Sequence, residues 1–152
     1  MSVAGTICGD IAAAITAAGI TVDGHAITAV AQSLPFPGSY GQDMTPQVIV
    51  SPSPAERQTW RLQTQEGTAF VNTNVEIELV GKLDGAVNTA VADYDNAMDA
   101  IAFAVLGMED SYGAHLMVLE STVYLAADAA RNLQVYHAGF TATLTGGAVS
   151  SL

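Results

Sequence analysis

The side chains alternate from Phe70 to Val80 and then repeat with helical spacing from Asn88 to Leu106, and this change of period constrains the fold more than any other feature of the chain. Val71, Thr73, Val75, Ile77 and Leu79 share one side of the first stretch; Asn72, Asn74, Glu76 and Glu78 share the other. Period two with β-branched residues predicts a strand with one covered and one wetter face. Gly81, Asp84 and Gly85 break it. Beyond them Val91, Tyr94, Ala97, Met98, Ile101, Ala102 and Val105 make an apolar stripe, while Asp93, Asp95, Asn96 and Asp99 fall on the wet side. Asn88 is the expected N-cap and Gly107 the expected stop. A strand apolar on one face and a helix apolar on one stripe cover each other, so the minimal architecture is a sheet with a helix packed on it.

The remaining elements build outward from that pair. Ile7, Ile11 and Ile15 in an Ala-rich setting predict a helix over residues 3–18, closed by Gly19. Asp23-Gly24 is a tight-turn pair, so Ile20 to Val22 and His25 to Ala31 read as a hairpin, with a short helix over 26–33 as the alternative. Pro35, Pro37, Gly38, Gly41 and Pro46 make residues 33–46 a long loop. Gln47 to Ser51 is a short strand bracketed by prolines, which places it near a sheet edge. Thr59 to Thr64 is a strand turning at residues 65–67 into the long one. Leu116 to Leu125 and Leu133 to Leu144 are two more, and in the last Tyr136, Ala138, Phe140, Ala142 and Leu144 oppose His137, Thr141 and Thr143. Gly146 to Leu152 reads as a small polar tail with few anchors. The predicted class is α+β: one domain over residues 1–152, a mainly antiparallel sheet with two helices on one side.

Charge narrows the function classes. Fifteen acids stand against four bases, Arg57, Arg61, Lys82 and Arg131, for a net charge of −11. No basic stripe exists to hold nucleic acid, and an anionic membrane is disfavoured for the same reason. Charged residues are only 12% of the chain, about half the usual share. Such a surface suits lasting contacts between subunits, although a small monomer has the same signature. Cys8 has no second cysteine to pair with and reads as a small buried residue. No stretch reaches the roughly 18 apolar residues of a membrane span, and the first residues lack the basic start of a signal peptide.

The residues offer little chemistry. Counted as a calcium loop from Asp93, the required glycine and glutamate positions hold Met98 and Ala104. Glu76 and Glu78 share a strand face, where a wet surface explains them better than an acid–base pair. His25, His115 and His137 show no zinc spacing. Neither a nucleophile elbow nor a glycine-rich phosphate loop is present. No catalytic residue, metal or cofactor is expected.

The order of elements resembles the tail terminator (tail completion) proteins of long-tailed bacteriophages. It is carried by the Ala-rich helix at 3–18, the proline-flanked strand from Pro46 to Pro52, the alternating strand from Val71 to Val80, the acidic helix from Ala92 to Leu106 and the closing strand from Tyr136 to Leu144. The resemblance implies a small α/β sandwich whose subunits form a six-fold ring in the virion. That ring caps the tail tube protein, meets the head-side connector and lets DNA pass without specific binding. A negative lumen would repel phosphate, so Glu76, Glu78, Asp84, Asp93, Asp95 and Asp99 are expected to supply lumen-facing acids. The loop, through Pro35, Phe36, Pro37, Tyr40 and Met44, is expected to contact a neighbouring ring or protein. Another neck or tail-tube subunit is the nearest alternative. A dimeric α+β ligand-binding domain or enzyme is the alternative of a different class.

Overall fold

The alternating stretch becomes part of a 15-residue strand at the centre of the sheet. The computed structural model describes residues 3–37, 40–41, 44–53, 58–62, 68–108, 116–127 and 129–150; of these, residues 3, 58–62, 68–72, 116–124 and 145–150 are described by backbone alone. The elements in order are α1 (Val3–Ala17), β1 (Thr21–Val22), β2 (His25–Ala26), β3 (Thr28–Ala31), β4 (Gln47–Pro52), β5 (Gln58–Leu62), β6 (Thr68–Lys82), α2 (Val87–Leu106), β7 (Leu116–Leu125), a π-helical turn (Ala129–Leu133) and β8 (Val135–Ser150). The fold is α+β. Its main sheet runs β3-β4-β6-β8-β7, with β5 also pairing on β6. β6 pairs antiparallel with β4 (Ile49↔Glu78), β5 (Trp60↔Val71) and β8 (Ile77↔Phe140).

Alternation decides what each face buries. Val75, Ile77 and Leu79 of β6 join Val48 and Val50 of β4, and Tyr136, Ala138, Phe140 and Leu144 of β8, in one apolar cluster. Ile7, Ile11 and Ile15 of α1 and Tyr94, Met98, Ile101 and Val105 of α2 complete it, so both helices cover the same side. Tyr94 and Tyr136 stack with ring centroids 4.7 Å apart. The Tyr136 hydroxyl donates to Asp95 at 2.8 Å; burial, then that carboxylate, hold the phenol far above its ordinary pKa. Tyr136→Phe keeps the stack and loses the bond, so its expected cost is about 1 kcal/mol in thermal unfolding.

Four details depart from the sequence expectations. The hairpin is only β1 with β2. β3 then joins the main sheet parallel to β4 (Thr28↔Gln47, Ala31↔Val50). Parallel neighbours need a crossover of about a dozen residues or more, and residues 32–46 are that crossover; this is why the proline-rich loop is long. The helix starts before Asn88: Ala86 is the N-cap, without a side-chain cap bond, after Gly85 has turned the chain at φ +77°. Gly107 follows α2 in a right-handed conformation (φ −64°), so it is not a left-handed stop. Gly146 to Ser150, expected as a tail, continue β8 because Thr68 to Val71 supply a pairing edge (Thr68↔Ser150).

Candidate functional site

The sheet face opposite the helices carries Glu76, Glu78, Val80, His137, Thr141 and Thr143, in the alternation that the sequence predicts. It is not simply wet. The crossover folds over it as a strap, anchored beside its ends where Gln32 N–H donates to Val50 O (2.9 Å) and Lys82 N–H to Met44 O (3.0 Å). Phe36 N–H donates to Glu78 Oε2 at 2.8 Å. Glu78 Oε1 lies 3.0 Å from His137 Nε2, and His137 Nδ1 lies 2.9 Å from the Tyr40 hydroxyl. With Nε2–H donating to the Glu78 carboxylate, Nδ1 is left to accept from the Tyr40 hydroxyl. Phe36 stacks on Tyr40 at 5.5 Å and meets the His137 ring edge-on at 5.2 Å.

A tyrosine, a histidine and a glutamate in series look like an activated nucleophile, but the electrostatics run the other way. Burial, and then the negative Glu78, raise the Tyr40 phenol above its ordinary pKa. It stays a protonated donor. The network's physical effect is to fix the strap on the sheet and to cover a charged group that would otherwise meet water.

These contacts place the expected site residues. Phe36 and Tyr40 contact their own sheet, and Met44 lines a cavity described below. Glu78 is 4% exposed and hydrogen-bonded, so its carboxylate is covered by its own chain. The six acids do not share one face. Glu76 and Glu78 lie on the strap side, Asp93, Asp95 and Asp99 on the exposed side of α2 across the sheet, and Asp84 in the turn between β6 and α2, 3.9 Å from Lys82. Sequence reasoning missed the network because its members are remote: 42 residues separate Phe36 from Glu78, and 97 separate Tyr40 from His137.

Glu76 provides a pH test of this crowded face. Burial, then neighbouring Glu78, raise its pKa above 4.5. An acid with a raised folded-state pKa binds its proton more tightly when folded, so its contribution is present below the unfolded value and lost as pH rises through the folded one. Glu76→Gln is therefore expected to unfold at higher denaturant than the parent at pH 7. Below the ordinary glutamate range the advantage disappears; paired urea titrations at the two pH values check both signs.

A second site lies at the N-terminal end of α2. A cavity of about 460 Å³ opens between the β1–β2 hairpin, the segment entering β4, the turn after β6 and the first turns of α2. Val22, Met44, Pro46, Ala86 and Ala90 give it apolar walls, and Asp23, Asp84, Asp93 and Lys82 give it charge. The Tyr94 hydroxyl beside it donates to Lys82 O at 2.9 Å; burial, then Asp84 and Asp23, push its phenol up to about 12. His25, exposed, also lines the cavity; His115 falls outside the described residues. Among the described residues no group of three histidines, cysteines or carboxylates is placed to hold a metal, and no helix is long and apolar enough to cross a membrane. No protein-family model matches the chain, and no curated protein sequence matches it.

Proposed function

We propose that this chain is a non-enzymatic ring subunit of a phage virion, a tail terminator that closes the tail tube toward the head-side connector. The observation that carries the reading is the pair of unlike sheet margins. β3 ends the sheet on one side and β7 on the other, and neither has a further partner strand among the described residues. Val30 of β3 is 41% exposed, and Leu125 of β7 is 40% exposed. A ring needs two different surfaces that meet head to tail, and open strand edges supply such surfaces. The Tyr40–His137–Glu78 series, built to hold a strap rather than activate a nucleophile, agrees with a structural role.

Negative-stain microscopy of the purified protein, with its mass from light scattering, tests the proposal. Six-fold rings with an open centre are the expected result, alone or on added tail tubes. A tight dimer that closes the 460 Å³ cavity would instead favour the ligand-binding reading, which that cavity supports.

A further inference from the structure

Two features of α2 face outward among the described residues. Phe103, on α2, is 74% exposed, the most exposed of the large hydrophobic residues described, and Leu106 one turn on is 40% exposed. The cavity at the other end of the same helix has apolar walls and the size of a small-molecule site. From Tyr94, beside the cavity, to Phe103 is about 14 Å along the helix axis at the usual rise. An aromatic knob and a socket at different places on one molecule make a heterologous contact when two copies meet.

We propose that Phe103 of one copy seats in the cavity beside Tyr94 of the next, a knob-and-socket contact that joins copies head to tail along α2. The inference rests on the ring reading and names its contact. The occupant is a second copy of this chain, argued from chemistry on both sides. Met44 offers a polarizable sulfur to an aromatic ring. Lys82, 3.9 Å from Asp84 in its own copy, lines the cavity and gives the incoming ring a cation to meet, with Asp99, one turn before Phe103, as a second carboxylate for the same ammonium. The cavity's acids and the net charge of −11 oppose the approach of two copies, so added salt strengthens the association by screening.

Two single variants and their mixture test it. Phe103→Ser removes the knob at an exposed position, and Thr89→Trp fills the socket from an exposed lining position. Circular dichroism melts establish that both fold; if Thr89→Trp does not, Asp93→Trp at the same cavity replaces it. Each is expected to weaken self-association by about tenfold or more in sedimentation, as loss of an anchoring aromatic does. Mixed together, they are expected to form a 1:1 dimer that grows no further, since one retains only the socket and the other only the knob. Parent rings with both variants assembling normally would overturn the inference and leave the ring reading standing. Parent chains or dimers, in place of rings, that both variants abolish would support the contact and overturn the ring. A parent that never self-associates, with or without tail tubes, overturns both.

Discussion

His137→Leu is expected to lose about 3 kcal/mol of stability, because it removes a hydrogen-bond partner from a buried carboxylate and leaves the carboxylate in place. Glu78 is 4% exposed and holds its carboxylate between His137 Nε2 and Phe36 N–H. Without the imidazole it keeps the Phe36 bond and loses the Nε2 contact, and the Tyr40 hydroxyl loses its acceptor on the ring. For a chain of this length the midpoint should fall by roughly 6 to 12 °C. The Glu78→Leu, His137→Leu double variant is expected to recover more than half of the loss, since replacing both partners removes the stranded charge. A double-mutant cycle in thermal unfolding reads the coupling. If the single variant melts with the parent, the network does not hold the strap.

Gly139→Val is expected to cost about 2 to 3 kcal/mol through overpacking at the same place. Gly139 pairs with Glu78 across the β6–β8 ladder. A Cβ on it would stand 2.8 Å from the Ile77 carbonyl oxygen and 3.1 Å from Glu78 Cγ. The first neighbour is backbone and does not swing away, so either the ladder opens or the Glu78 side chain is displaced from beneath the strap. Urea unfolding should show a lower midpoint with an unchanged slope, the mark of lost stability without a change in the denatured state. Amide exchange at Phe36 separates the two routes: faster exchange there means that Glu78 has moved.

The two variants test features of unequal visibility in the sequence. That Val75, Ile77 and Leu79 face the core while Glu76 and Glu78 face away follows from alternation alone, and so do the buried Tyr136, Ala138 and Phe140. Why Glu78 is covered does not follow, because its cover comes from Phe36 and its partner from His137. Nothing in the spacing of those residues records the register that brings them together. Composition misled at two places. Gly146 and Gly147 look like the end of a strand, yet a neighbouring edge at Thr68 to Val71 draws them into the ladder. Asn88 looks like a cap, yet the turn at Gly85 starts the helix before it.

The prolines and glycines of residues 33–46 were legible as a long connection, but not as a strap. That outcome depends on β3 lying parallel to β4, which obliges the chain to cross a sheet face before it can re-enter. The sequence by itself determined the α+β class, the helix and strand periods and the apolar faces, because periodicity is a local property of the chain. Tertiary structure alone decided which polar face is roofed, which carboxylate is buried and where the cavity opens. Those depend on partners supplied from distant segments, and burying a polar group becomes tolerable only once such partners are in place.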